Sequence, residues 1–170
     1  ASVTGALKVS FAASGTLYVS CYDENEIRKF VPPSTAVVAV YGGGGSFQSG
    51  YADGTGTAAR FDRVLDAVFD ETSGLIVAAD IFNHVLRIIA PGTAAVTTLV
   101  LPQTLSYIRA VTTSPDGTLY VADSSHDRVL IYRNWATTPK LTGMALVGED
   151  APPPLMPNQT WQVGAEAVAD

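Results

Sequence analysis

The chain has 170 residues, of which 47% are hydrophobic and only 15% are charged. Because this supplies ample apolar side chains for a core, the composition excludes a disordered protein. Ten lysines and arginines against sixteen acidic residues give a net charge of −6, and the scattered basic residues disfavour nucleic-acid binding. The apolar runs are far shorter than the roughly 20 residues of a membrane-spanning helix, and we expect any signal peptide to be absent or already removed.

Valine, isoleucine and threonine occur along the chain in short runs that are bounded by glycine, proline, serine or aspartate. This pattern predicts many short strands separated by turns. No apolar pattern keeps a helical period over ten residues without a glycine or proline interrupting it. The chain is therefore predicted to be all-β.

The first predicted unit is a meander of four short strands. Turn residues lie between each apolar run and the next, which is the pattern of antiparallel strands joined by tight turns. The predicted strands are residues 6–11, 16–21, 25–31 and 36–41.

The same unit is repeated twice more. Similar apolar runs begin at Gly15, Gly74 and Gly117, and the last two of these glycines are 43 residues apart. A period in the forties with four strands per unit is typical of propeller blades. The predicted organisation is blade 1 at about residues 6–41, an inserted glycine-rich loop at 42–60, blade 2 at about 65–100 and blade 3 at about 108–147.

The C-terminal part of the chain is predicted to hold a loop at residues 148–163 and the first strand of a fourth blade at 166–170. The final Ala-Val-Ala-Asp matches Ala-Val-Phe-Asp at residues 67–70. We therefore expect a single, partial propeller, whose terminal blades would expose apolar faces. The remainder of a parent polypeptide or a second copy of the chain would complete the ring; a compact monomer is the third alternative.

The most distinctive motif lies in the second unit, where residues 80–89 read DIFNHVLRII. This run resembles the Asp-x-x-Asn-His-x-Leu-Arg-x-Ile pattern of the NHL-repeat β-propeller family. Residues 25–30 of the first unit lack the histidine, and residues 124–128 of the third unit, SSHDR, depart furthest. The resemblance covers about residues 6–147 and implies a ring of about six blades that acts as a protein-binding scaffold.

Four polar residues at recurring positions are predicted to be structural. Cys21 is the single cysteine, so it cannot form an intramolecular disulfide; we expect a small residue near a strand end, with a reactive or inter-chain thiol as the alternative. Asp80 and Asp123 recur at the same position and are expected to cap tight turns through their own backbone. His84 is expected to be mostly buried at the junction of its blade with a neighbour.

The loops after the second and fourth strands of each blade are predicted to emerge on one face of the propeller. Loops on a rigid scaffold commonly bind ligands, so we expect a partner to bind there. The candidate partner-binding residues on this face are Tyr22, Asp23, Glu24, Tyr51, Phe82, His126 and Trp161.

The leading functional hypothesis is a non-enzymatic scaffold that binds a protein or peptide, with no catalytic, cofactor-binding or metal-binding residues predicted. The alternative is a metal-dependent enzyme similar to the propeller lactonases and lyases, with a divalent metal and a site completed by further blades. The glycine run at residues 42–45 is not followed by the Lys-Ser/Thr of a phosphate-binding loop. A glycosylation sequon at Asn158 leaves an extracellular or luminal location open, and the sequence does not fix the compartment.

Overall fold

The computed structural model describes residues 3–43 and 48–136. Within these ranges the chain is all-β, as predicted, with two single-turn 3₁₀ helices. No helix in the described ranges is long and apolar enough to cross a membrane. Residues 148–163, the strand predicted at 166–170 and the sequon at Asn158 lie outside them.

Blade 1 is a four-stranded antiparallel meander whose strands pair in sequence order. Each strand begins and ends within one residue of the position that the sequence predicts. The strands are β1 (Ala6–Phe11), β2 (Leu17–Cys21), β3 (Glu26–Phe30) and β4 (Val37–Gly42).

Blade 2 has the same meander and one additional strand that the sequence analysis did not predict. The additional strand comes from the inserted segment and pairs with the outermost strand of the blade. Its strands are β5 (Gly54–Thr55), β6 (Val64–Asp70), β7 (Leu75–Asp80), β8 (Val85–Ala90) and β9 (Ala95–Leu99).

Blade 3 is described over three antiparallel strands. They are β10 (Ile108–Thr113), β11 (Leu119–Asp123) and β12 (Arg128–Tyr132). The fourth strand predicted for this blade falls outside the described residues.

The three innermost strands, β1, β6 and β10, share a local irregularity. Each begins with a break in register against the second strand of its blade, at Ala6/Lys8, Val64/Asp66 and Ile108/Ala110. Such bulges increase the twist of a strand locally. Because the irregularity recurs at the same repeat position, the inner strands enter their blades in the same way.

Alternate residues of each blade pack against different neighbours, because successive side chains of a strand point to opposite faces. Ile76 of β7 packs with Tyr18 of blade 1 in one core, and the adjacent Val77 packs with Leu119 of blade 3 in another. Blade 2 therefore has apolar residues on both faces and is covered on both.

Gly42, at the end of β4, lies against the ring of Phe61, which precedes β6. A Cβ atom at this position would lie 2.2 Å from Cε2 of Phe61, whose ring is fully buried, and the backbone has φ +81°. A side chain here meets both a steric clash and a left-handed backbone. Packing therefore requires a glycine at the first position of the run at residues 42–45.

Gly42→Ala is expected to destabilise the fold far more than Gly74→Ala. Gly74 also has a positive φ but has open space around its Cβ direction, so its substitution costs only about 1–2 kcal/mol for the left-handed backbone. Gly42→Ala adds the displacement of the Phe61 ring, which raises the loss to about 3 kcal/mol or more. Urea unfolding of both variants measures the difference, and equal losses would contradict this packing.

Candidate functional site

The turns between the second and third strands of the blades lie on one edge of the molecule, which we call the loop face. Each turn donates a backbone hydrogen bond to the segment that enters the inner strand of the same blade. The pairs are Tyr22 N to Gly5 O at 2.8 Å, Phe82 N to Asp62 O at 3.1 Å and Ser125 N to Ser106 O at 3.3 Å. The turns and entry segments therefore form one continuous surface.

Two positions of each repeat on the loop face have a left-handed backbone. One precedes the inner strand and the other precedes the third strand. They are Gly5, Arg63 and Tyr107, with φ of 63°, 64° and 49°, and Asn25, His84 and Asp127, with φ of 56°, 58° and 48°. Since this conformation costs a residue other than glycine about 1–2 kcal/mol, five of the six positions are held by their surroundings.

A hydrogen bond between successive blades holds these positions. The N–H of Arg63 donates to Oδ1 of Asn25 at 2.7 Å, and the N–H of Tyr107 donates to Nδ1 of His84 at 3.3 Å. The two bonds join equivalent repeat positions. The side chain that ends one blade's turn therefore accepts the N–H of the residue that enters the next blade.

His84 corrects the sequence prediction in one respect. It lies at the junction of blades 2 and 3, as expected, but it is exposed rather than mostly buried. Its ring lies against that of Tyr107, with centroids 5.5 Å apart. The imidazole lies at the rim of the junction, where one nitrogen accepts a hydrogen bond and the ring packs on Tyr107 while the side chain stays exposed.

Asp80 and Asp123 have the structural role that the sequence predicts, but through different partners. Both are fully buried. Their carboxylates accept the N–H groups of Asp62 at 2.7 Å and Ser106 at 2.9 Å. The expectation that each caps its own turn through its own backbone was wrong, because the buried strand ends point these side chains toward the entry segments.

Each of these carboxylates also binds an arginine of its own blade. Asp80 lies 3.0 Å from Arg87, and Asp123 lies 2.8 Å from Arg128. Burial raises the pKa of Asp80 despite its hydrogen bonds. Burial opposes ionisation of Asp123 too, but the hydrogen bonds that it accepts outweigh this and lower its pKa. The two aspartates are fixed parts of the scaffold.

The inserted segment is anchored to blade 2 by the buried guanidinium of Arg87. This group donates to the carbonyl oxygens of Arg60 at 2.8 Å and Ala52 at 2.7 Å, and to Asp53 at 3.0 Å. Its Cζ also lies 5.3 Å from the centre of the Tyr51 ring. Residues 51–60 of the predicted loop therefore pack over the edge of blade 2. In the sequence, only the repeat motif pointed to Arg87.

Three candidates lie in the turn between β2 and β3. Tyr22 and Asp23 are half-buried, and Arg63 of the next blade contacts both, with its Cζ 4.8 Å from the Tyr22 ring centre and a 2.7 Å bond to Asp23. Glu24 is buried and pairs with Arg28 at 2.7 Å. Little of its side chain is therefore open to a partner.

The remaining candidates differ in accessibility. Tyr51 is 60% exposed and Phe82 is 43% exposed. His126 is exposed but bound to Asp123 through Nδ1 at 2.9 Å. Trp161 lies outside the described residues.

Three ring-bearing side chains meet on the loop face, and only one of them, Phe82, is a partner-binding candidate from the sequence. The rings of Phe82 and Tyr107 meet edge to face with centroids 6.1 Å apart, and His84 packs on the same Tyr107. We call these three residues the aromatic cluster. Tyr107 is 43% exposed and was missed, because nothing in the sequence marks the residue before β10 as part of the loop face.

One set of potential metal ligands occurs in the described residues. Ligand atoms of Cys21, Glu24 and Glu26 lie within 4.8 Å of one another. Arg28 forms ion pairs with both glutamates, and burial raises the pKa of the Cys21 thiol to about 12. The two glutamates of this set are therefore bound to Arg28. Cys21 lies at the end of β2, as the sequence predicts for a small residue there, and it is buried.

No protein-family model matches the chain, and no curated protein matches it in sequence. Solved structures do share its fold. An auxiliary nutrient binding protein from Bacteroides thetaiotaomicron matches 71% of the chain at 17% identity with a TM-score of 0.58. Hydrazine synthase of Kuenenia stuttgartiensis matches 79% of the chain at 12% identity with a TM-score of 0.60. Virginiamycin B lyase from Staphylococcus aureus matches 78% of the chain at 13% identity with a TM-score of 0.55.

These neighbours establish a propeller-like fold and nothing finer. The chain spans 35%, 34% and 39% of their respective lengths. A binding protein, a synthase and a lyase share the architecture, so the architecture does not select a function.

His84→Asn is expected to preserve stability to within about 0.5 kcal/mol, because asparagine already accepts the equivalent bond at Asn25 and tolerates a left-handed backbone. His84→Gly keeps the backbone free of strain but removes the acceptor and the ring, and should cost about 1–2 kcal/mol. Denaturant unfolding compares the two variants. A larger loss for His84→Asn than for His84→Gly would contradict the inter-blade bond.

Proposed function

We propose that this chain is part of an NHL-type β-propeller that binds a protein or peptide through its loop face, without catalysis. The observation that carries the proposal is the aromatic cluster, Phe82, His84 and Tyr107, which is exposed at the junction of blades 2 and 3. The NHL-like pattern of residues 80–89 supports the assignment of the repeat.

The aromatic cluster has the chemistry of a binding surface. Aromatic rings supply large contact areas at a low cost in side-chain entropy, and they are enriched where binding energy is concentrated. The backbone beneath two of the three residues is fixed in the left-handed region and tied by the inter-blade bond. A partner would therefore meet side chains that need little further ordering.

The partner best suited to the aromatic cluster is an extended segment that presents an apolar or aromatic side chain. Such a side chain would lie against the edge-to-face pair of Phe82 and Tyr107, since aromatic pairs extend readily in this geometry. The exposed face of the His84 ring adds a polar contact beside it. Tyr22 with Arg63 forms a second, less exposed contact at the neighbouring junction.

The second candidate is a metal-dependent enzyme of the lactonase or lyase kind. Among the structural neighbours, virginiamycin B lyase keeps this alternative open. In residues 3–43 and 48–136, no group of three or more potential ligand residues includes a histidine. A divalent metal would therefore depend on ligands from other parts of the ring.

Selection of a random 12-residue phage-displayed peptide library on the 170-residue chain tests the binding proposal. Truncating Phe82 or Tyr107 to alanine should weaken the selected peptides about tenfold or more, because central aromatic contacts contribute most of the binding energy. Phe11→Ala is the matched control, since Phe11 is an exposed aromatic residue at the opposite end of β1.

Isothermal titration with one synthetic peptide from the selection gives the dissociation constants. The proposal predicts unchanged affinity for the Phe11 variant and weaker binding for both cluster variants. Peptides that bind all three variants equally well, or a selection that enriches no peptide, would contradict it.

A further inference from the structure

The hydrogen bonds that join successive blades at the loop face differ in their chemistry. Between blades 1 and 2, the amide oxygen of Asn25 accepts the N–H of Arg63 at 2.7 Å. Between blades 2 and 3, the Nδ1 of His84 accepts the N–H of Tyr107 at 3.3 Å. An amide oxygen accepts a hydrogen bond at neutral and at mildly acidic pH, whereas an imidazole nitrogen accepts one only while it carries no proton. The second bond therefore depends on the protonation state of one side chain.

The bond also fixes the tautomer of the neutral His84 ring. The backbone N–H of Tyr107 can only donate, so Nδ1 carries no proton and Nε2 carries the proton of the neutral imidazole. In the imidazolium ion both nitrogens are donors, so a rotation of the ring does not restore an acceptor. Protonation of His84 therefore breaks the bond and sets two donors against each other.

The surroundings of His84 do not compensate a positive charge. From blade 3, the group packed on its ring is the phenol ring of Tyr107. On its own blade, the charged residues closest in sequence are Asp80 and Arg87, which are buried and bound to each other. Within the described part of the chain His84 forms no ion pair, in contrast to His126. Because His84 is exposed, a proton reaches the ring without unfolding of the blade.

His126, the other of the two histidines in the chain, has the opposite arrangement. Its Nδ1 lies 2.9 Å from Oδ2 of Asp123. An ionised carboxylate only accepts, so the Nδ1 of His126 carries the proton. Protonation of the second nitrogen places a positive charge beside the carboxylate and strengthens this bond. Acid therefore strengthens the contact of His126 and breaks that of His84.

The broken bond bears directly on the aromatic cluster, because Tyr107 is its central residue. The Tyr107 ring meets Phe82 edge to face and packs on His84. Its backbone has a φ of 49°, which a residue with a Cβ adopts only where its surroundings hold it. Loss of the bond to its N–H removes one of these restraints, so the cluster loses order.

We propose that His84 is a pH-sensitive positioning residue, whose neutral imidazole holds Tyr107 in the aromatic cluster and whose protonation releases it. Histidine is the side-chain type that changes its charge in mildly acidic solution. The release is a property of the junction between blades 2 and 3 and does not depend on a partner. Its consequence, weaker binding of a partner in acid, rests on the proposed function.

Nuclear magnetic resonance of the ¹⁵N-labelled 170-residue chain between about pH 7.5 and 5 tests the release. The exchange of the Tyr107 amide with water is compared with that of the Arg63 amide, after correction of both for their intrinsic rates. Arg63 is the internal control, because its acceptor on Asn25 does not titrate. The Tyr107 to Arg63 ratio should rise about fivefold in acid for one lost hydrogen bond, and its midpoint should coincide with the titration of the His84 ring.

Two variants separate His84 from other groups that titrate in this range. His84→Asn should hold the exchange ratio constant, because an amide oxygen accepts the N–H at both ends of the range, as Asn25 does. His126→Asn removes the other histidine and is the matched control; it should leave the response of the Tyr107 amide unchanged.

The ring nitrogens give a second readout that needs no variant. At neutral pH, the ¹⁵N shifts of the two imidazoles should place the proton of His84 on Nε2 and that of His126 on Nδ1. Should His84→Asn fail to fold, this measurement and the titration of the unsubstituted chain decide the proposal.

The consequence for a partner is measured with a peptide selected as described above. Its dissociation constant should rise severalfold between about pH 7.5 and 5.5 for the unsubstituted chain, and the same ratio for His84→Asn should stay near one. An equal rise for both proteins overturns the link to binding. A selection without any enriched peptide contradicts the proposed function alone, since amide exchange decides the release.

Three results overturn the release itself. They are a constant exchange ratio of Tyr107 to Arg63 in the unsubstituted chain, a proton on Nδ1 of the neutral His84 ring, and an undiminished acid response in His84→Asn.

Discussion

The structure depends on one constraint: each blade is a sheet with apolar side chains on both faces. Such a sheet cannot bury itself and needs a neighbour on each side. Blade 2 meets this requirement inside the chain, because alternate residues of β7, Ile76 and Val77, belong to different cores. Within the described residues, blades 1 and 3 each pack against blade 2 and have no second blade as a neighbour.

The hydrogen bonds of the loop face follow from the same stacking. The chain turns sharply where it enters the inner strand of a blade. At Arg63 and Tyr107 this turn has a left-handed backbone. The N–H exposed by this turn would lack a partner at the junction unless the preceding blade supplied one. Asn25 and His84 supply it. The same geometry holds Phe82 beside Tyr107, so the candidate binding surface is a product of blade packing.

Much of the fold could be predicted from the sequence because its determinants are local. The alternation of apolar residues sets the strands, and the repeated glycine sets the turn before the second strand: Gly15, Gly74 and Gly117 have φ of 82°, 70° and 80°. A residue without a Cβ adopts this conformation at little cost. The period of the repeat then indicates blades.

The candidate site was less predictable because its determinants lie far apart in sequence. Glu24 is buried because Arg28 neutralises it. His84 accepts a hydrogen bond from the backbone of Tyr107, which is 23 residues away in sequence, and this contact lies at the exposed edge of the junction. Strand β5 and the carbonyl oxygens around Arg87 depend on how the inserted segment returns to blade 2. Composition and period carry no information about such contacts.

The central claim, that blades are stabilised by neighbours on both faces, is tested most directly by hydrogen exchange. Strands β2, β7 and β11 are second strands, each paired on both edges within its own sheet, so within the described residues they differ mainly in how many blades pack against them. Amides of β7 should exchange most slowly, because their opening requires disruption of both cores. Equal protection of the three strands, or slower exchange in β2 or β11, would contradict the claim.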